Sequence, residues 1–471
     1  MARVIHLPYP PVLLFTVLSV SVLLLVAYQL APGMVLLPMA VAFGIMMVMI
    51  SFTSVELSIY LIIAFTLLSP EISLSGGSNQ STTASRGVTI RLDDMLLAMA
   101  CLTWLFRMAI TKELNFVRRT PINQPILWYW GATMLATLFG FYSGYVESIY
   151  GFFFVLKYLE YFVLFYVIVN DAHDRKVLHR YVAVLMITCL IVSLVGISQI
   201  GGGERVSAPF EGKEGEPNTF GAYLVLMFAV ALGMFFEDDD GAHRKRWLAM
   251  LGVIVVPLTF TESRSSYLAF IVMLLSFIYC SSKRNILIIA SLTMIMLAPF
   301  VVPQTMVDRI MFTFDQAGQV GQLKLAQHVH LDTSTSDRLL QWYKALTVYF
   351  PNHPILGRGV TGATFMDAQY ARVLSETGLV GLTAFLWLLY RIGSVFRQGR
   401  RELTDGRLRG VALGSLCGFL GLLVHAVGSN SFIIVRIMEP LMILLGLVMA
   451  ALLIQRKEEA ELGSSLEAVG R

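Results

Sequence analysis

Apolar runs of roughly 17 to 23 residues recur along the whole of this chain, and a helix needs about 20 residues to cross the hydrocarbon core of a bilayer. Only 14% of the 471 residues are charged while 56% are hydrophobic, too little charge to cover a soluble protein of this size. Short alternating segments of the β-barrel kind do not appear. The sequence therefore predicts an all-α polytopic membrane protein. About fourteen spans are expected, near 11–30, 33–50, 55–69, 93–111, 124–141, 148–169, 178–200, 218–236, 246–262, 265–280, 285–303, 368–390, 408–427 and 432–454. They form one bundle over 1–471, with a loop subdomain at 304–366 and a polar tail at 455–471. The first run has no small-residue cleavage site after it and is read as a span, not a removed signal peptide. The four cysteines, Cys101, Cys189, Cys280 and Cys417, lie inside apolar runs and read as small core residues.

Sidedness follows from lysine and arginine in the short connections. "TKELNFVRRT", "DAHDRKVLHR", "GAHRKRW", "SSKRN" and "RIGSVFRQGRRELTDGRLRG" all fall on the side of both termini when fourteen spans are counted. That side is taken as the cytoplasm. The opposite side receives the Ser/Thr/Gly-rich loop 70–92, the loop 201–217, and the segment 304–366, far too long for a connector. Within the last, "SDRLLQWYKALTVYF" repeats apolar residues with helical spacing. Asp337 is the expected cap and Pro351 the expected end of an amphipathic helix lying over the bundle.

Arg205, Arg264, Arg338 and Arg358 collect on that outer face, against the usual bias. An arginine's planar fork donates paired hydrogen bonds and stays charged, which suits phosphate. The ordinary alternative is a side chain snorkelling to headgroups, or Arg264 pairing with Glu262. Two intramembrane pairs, Lys157 with Glu160 and Arg436 with Glu439, sit three residues apart on one helix face. Each is either a structural ion pair or part of a site, and Arg436 is the better site candidate because it lies near the outer end of the last span. Asp93 and Asp94 read as charges at a helix N-terminus, His328 and His330 are too few for a metal site, and His425 reads as a satisfied core histidine.

The block "DRLLQWYKALTVYFPNHPILGRGVTGATFMDAQYARVLSETGLVGL" resembles the O-antigen ligase and Wzy-type polymerase superfamily. Its pattern is Arg338, Trp342, Pro354, Gly357 and Gly359, then Asp367 and Tyr370, then Glu376, Gly378 and Gly381. "TESRSSYLAF" is similar to the family's Ser–Arg loop, and "ERVSAPFEGKEGEPNTFGAYL" to its segment from an arginine, Arg205, to Pro217 and Asn218. The resemblance covers roughly residues 200–382. It implies a metal-independent glycosyltransferase without cofactor, acting on polyprenyl-diphosphate-linked oligosaccharide at the periplasmic face of a bacterial inner membrane, with external arginines on the diphosphate. A flippase and a chain-length regulator of the same pathway are the further partners it implies; no nucleic acid is expected. Ligases of the family begin the helix after the loop with a histidine, where this chain has Asp367, so the resemblance favours a polymerase of repeat units. Arg205, Arg264 and Arg338 are the expected diphosphate ligands, with Arg358, Trp342, Tyr370 and Arg436 also binding, and Asp367 or Glu376 as base. Transfer of a finished glycan to lipid A core or protein is one alternative. A transporter or flippase is another; it calls for midplane charges and an internal repeat, whereas the sequence shows no convincing repeat and its suspicious charges lie at one surface.

Overall fold

A computed structural model describes residues 55–69, 71–73, 89–91, 95–98, 101–102, 118–147, 149–202, 205–209, 215–301, 304–311, 324–326, 329–330 and 332–469. The expected spans 11–30 and 33–50, most of 93–111, Asp93, Asp94 and His328 lie outside them. The chain divides into two compact units, residues 1–62 with 92–116, and residues 63–91 with 117–471. Everything below on the bundle and the site concerns the second.

The described chain is helical apart from two short antiparallel strand pairs, Glu71–Ser73 with Thr89–Arg91 and Lys324–Ala326 with Val329–His330. Its helices are α1 (Val55–Leu68), α2 (Asn123–Tyr142), α3 (Tyr150–Asp171), α4 (Arg175–Ser198), α5 (Pro217–Glu237), α6 (Gly241–Phe260) and α7 (Arg264–Cys280). They continue with α8 (Arg284–Val301), α9 (Gln304–Met311), α10 (Thr333–Lys344), α11 (Gln369–Glu402), α12 (Gly406–His425) and α13 (Val435–Val469). Six are long and apolar enough to cross a membrane: α3, α4, α5, α11, α12 and α13 over Val435–Ser465.

α5 forms the centre. Proline at its first turn supplies a helical φ without wasting an N–H, and nearly every residue after it is buried, as an all-round apolar helix requires. α12 packs along it. Gly410, Gly414 and Gly418, four residues apart, make this approach possible: a Cβ at Gly414 would stand 2.4 Å from the Ala229 carbonyl oxygen. Small residues at that spacing let two helix backbones close where lipid gives no hydrophobic incentive.

One end of this bundle is an ionic layer. Arg409 bonds Glu237 at 2.8 Å, Arg407 bonds Asp238 at 3.2 Å, and His179 meets Asp405 at 2.8 Å. Lys283 donates to the Phe236 carbonyl at 2.6 Å. His179, Lys283, Asp405, Arg407 and Arg409 belong to the basic connections picked out in the sequence. α5 runs from there for about 30 Å, its 21 residues rising about 1.5 Å each, to the opposite end, where Asn218 lies.

Several boundaries differ from expectation. The amphipathic helix begins at Thr333, capped by Asp332 rather than Asp337, because the Asp332 carboxylate accepts the Thr335 N–H at 3.3 Å. Pro351 does not end the helical path. α10 gives way at Ala345 to a five-residue π turn, and Pro351 sits inside a further turn over Phe350–Asn352, where its missing N–H costs nothing. α11 and α13 overrun their expected spans. Residues 455–469, expected as a polar tail, extend α13, and Gln455 and Arg456 bind the end of α11 through the Glu402 carbonyl and carboxylate.

Candidate functional site

Three of the arginines expected on the outer face meet. Arg205, Arg264 and Arg338 line one cleft together with Asn218, Glu262, Ser265 and Ser334. They come from a loop before α5, the first residue of α7, and α10, so tertiary folding and not sequence proximity assembles them.

The cleft is built around a strained reversal. α6 ends at Phe260, and Glu262 turns the chain with φ of +50°, a left-handed conformation that costs a non-glycine residue about 1–2 kcal/mol. Helix termination leaves carbonyls open, and Arg205 fills that need: Nε donates to Thr261 O at 3.0 Å and Nη2 to Glu262 O at 3.1 Å. Ser263 then caps α7, accepting the Ser266 N–H at 3.3 Å. Arg264 follows directly.

Arg264 Nη2 bonds the Asp332 carboxylate at 2.6 Å. Burial works to raise the pKa of Asp332, and hydrogen bonds from Arg264 and Thr335, with the Arg264 charge, outweigh it, holding the carboxyl below its ordinary value. Asp332 thus fastens α10 to α7, and with it Arg338, whose Cδ passes 3.5 Å from where a Cβ on Gly428 would stand. Three further bonds dock α10. Gln341 Oε1 accepts the backbone N–H groups of Asp367 and Ala368 at 2.8 and 3.2 Å, and Trp342 Nε1 donates to Val427 O at 3.2 Å. Three guanidinium groups against the carboxylates of Glu262 and Asp332 leave the cleft an excess of positive charge.

The other expected site residues lie apart from this lining. Arg358 is stacked between the rings of Tyr145 and Tyr349, 4.9 and 4.7 Å from their centroids. Tyr370 is spent on the bundle, its hydroxyl donating to Leu423 O at 2.8 Å. Trp342 likewise docks α10 rather than lining the cleft. Arg436 is 2% exposed at the start of α13, a helix that packs on α3, and so the two intramembrane pairs sit on neighbouring helices. Asp367, half-buried, stands just before α11.

Glu376 is buried in a pair with Arg372 at 3.1 Å, a partner the sequence reading passed over. The glycine motifs around it serve one another. α11 breaks at Gly378, where φ is +61° and ψ −159°, and the turn at 354–359 fills the gap. Arg358 N–H donates to Ser375 O at 3.0 Å, Gly359 N–H to Glu376 O at 2.8 Å, and Leu379 N–H to Pro354 O at 2.8 Å. The glycines of the two motifs let the turn and the broken helix come together at backbone distance.

Among the described residues no group of His, Cys, Asp or Glu is arranged to hold a metal. His425 makes hydrogen bonds on both ring nitrogens, to Ser431 and Ser266.

Residues 247–386 match a family model described as O-antigen ligase. That stretch, which holds Arg264, Arg338, Arg358, Asp367 and Glu376 but not Arg205 or Arg436, is where the chain is similar to the O-antigen ligase family. No curated protein matches the chain.

Proposed function

We propose that this multi-pass membrane protein of the O-antigen ligase superfamily is a glycosyltransferase that polymerises polyprenyl-diphosphate-linked oligosaccharide repeat units at the periplasmic face of the bacterial inner membrane. The observation that carries the reading is the convergence of Arg205, Arg264 and Arg338 on one cleft, at the end of the bundle opposite the basic connections. A lipid-linked diphosphate presents its charge at that depth, where the polyprenyl chain lies in the bilayer and the glycan outside it.

In the reaction, the bond between the anomeric carbon of the growing chain and its diphosphate oxygen breaks, and the electron pair leaves with the diphosphate. A hydroxyl oxygen of the incoming repeat unit bonds to that carbon and gives up its proton. Fixed guanidinium groups stabilise the departing charge without reorganising, because Thr261, Glu262 and Asp332 already hold two of them in place. Of the two candidate bases, Asp367 is the more exposed, half-buried just before α11. Glu376 is buried and its Oε1 is taken by Arg372, so an acceptor hydroxyl would have to displace that bond to reach it.

The test is Arg264→Ala. The expected result is loss of long chains with protein level and single-repeat product intact; long chains from this variant would remove the diphosphate role. The family description favours a second reading, one transfer of a finished glycan to lipid A core or protein. With purified donor and acceptor, a ladder of products marks the polymerase and a single capped product the ligase.

A further inference from the structure

Beneath the arginine cleft runs a chain of buried hydrogen bonds that the reaction above does not use. Ser263, Ser266, His425 and Ser431 are each 1% exposed or less. Ser266 Oγ donates to Ser263 Oγ at 2.8 Å, and His425 Nε2 lies 3.4 Å from Ser266 Oγ while its Nδ1 lies 2.7 Å from Ser431 Oγ. With the Ser266 proton committed to Ser263, Nε2 is the nitrogen that donates and Nδ1 the one that accepts.

The two ends of this chain are the two walls of the cleft. Ser263 is the cap of α7, whose first residue is Arg264. Ser431 belongs to the segment 426–432, onto which α10 is docked by Trp342, and Asn430 Nδ2 ties the same segment to Met366 O at 2.7 Å. Arg338 crosses that segment at Gly428. Ser266 has little room to answer elsewhere, since a Cβ on Gly221 would stand 2.4 Å from its Oγ. The backbone of Asn218, another residue of the cleft, adjoins the imidazole.

We propose that His425 is a positioning residue for the cleft: its ring spans from the cap that aims Arg264 to the segment on which α10, with Arg338, is docked, and fixes the spacing of the two guanidinium groups. The inference rests on the diphosphate reading, because a set spacing between two forks matters most to a ligand that bonds both.

The two ring nitrogens can be replaced one at a time. His425→Asn keeps an acceptor near the Nδ1 position and loses Ser266; His425→Gln keeps a donor near the Nε2 position. Full-length protein in lipid nanodiscs is titrated with farnesyl diphosphate, and melting temperature is recorded beside it. We expect His425→Asn, His425→Gln and Ser266→Ala each to weaken binding about tenfold, because each cuts one side of the bridge, and His425→Asn combined with Ser266→Ala to be no worse than either single. Arg264→Ala is the control. If it loses binding while His425→Asn and Ser266→Ala bind as wild type, the positioning role is wrong and the diphosphate reading stands. If His425→Asn, His425→Gln and Ser266→Ala lose binding only as far as the folded fraction falls, with wild-type affinity in the protein that stays folded, the histidine only fills the core. If Arg264→Ala and Arg338→Ala also bind as wild type, the diphosphate reading falls with it.

Discussion

Arg264 and Asp332 join across 68 residues of chain, the guanidinium resting 2.6 Å from a carboxylate whose side chain is 2% exposed. The same carboxylate caps α10, so one residue orients the cation and starts the helix that brings Arg338. Asp332→Ala removes both at once. A loss of about 3 kcal/mol is expected, set by the cost of breaking a buried pair from one side and of losing a cap. Asp332→Asn retains a capping oxygen and should lose less stability, yet still fail to make long chains. Thermal unfolding in detergent and the product ladder read the two effects separately; an Asp332→Ala protein that melted like wild type would show the link to be idle.

Acid should loosen the protein at both ends of the bundle. Burial pushes Asp405 up, but the hydrogen bonds from His179 and the Leu408 N–H, with the charges of His179 and Arg175, bring it down to about 2. Asp332 is lowered as well. Each folded-state value lies below the unfolded one, about 3.9. Their stabilisation is therefore complete above about pH 4 and drains away as pH falls towards 2. Melting temperature followed from pH 5 to pH 2 should drop, and Asp405→Asn should flatten the drop, since an amide still caps α12 but no longer titrates.

The apolar runs made the helices legible, and the clash between positive charge and sidedness made Arg205, Arg264 and Arg338 legible as a group. What that reasoning missed depends on contacts between distant segments. Asp332 sits before "TSTS", a stretch whose weak helix propensity reads as loop; docking onto α7, α11 and the 426–432 segment overrides it. Arg358 carries the same charge as the three cleft arginines, but two tyrosines claim it, and nothing in its local sequence marks that difference. Arg372 was hidden inside an otherwise ordinary helix, four residues from the glutamate it neutralises. His425 was rightly seen as satisfied and buried; that its partners lead to both walls of the cleft is visible only in three dimensions.

Asp367 and Glu376 should separate cleanly. Asp367→Asn changes a half-buried side chain at the mouth of α11, so turnover is expected to fall by about a hundredfold or more, as when a general base is lost, with little change in melting temperature. Glu376→Gln should do the reverse, weakening the fold by about 3 kcal/mol because Arg372 is left buried without its counter-charge, while retaining part of the activity of the folded fraction. Paired measurements of turnover and unfolding decide it. Full turnover in Asp367→Asn would return the proton to another group.

Two glycines give the sharpest contrast in the fold. Gly357 has φ of +64°, and a Cβ there would lie 2.6 Å from the Glu376 carbonyl carbon and 2.7 Å from the Gly378 nitrogen, all backbone and unable to turn aside. Gly357→Ala must therefore push the 354–359 turn out of the break in α11, severing the bonds from Arg358, Gly359 and Leu379 that close it. The expected result is protein that does not accumulate in the membrane, or that melts far below wild type. Gly131 lies inside α2, and a Cβ added there would meet nothing within 4 Å. At that position alanine should stabilise by about 0.5–1 kcal/mol, the backbone entropy a helical glycine gives up. Membrane level and melting temperature of the two variants test the contrast together: a tolerated Gly357→Ala would mean that the turn and the helix break are not seated in one another, and the two glycine motifs would then need separate reasons to occur in one chain.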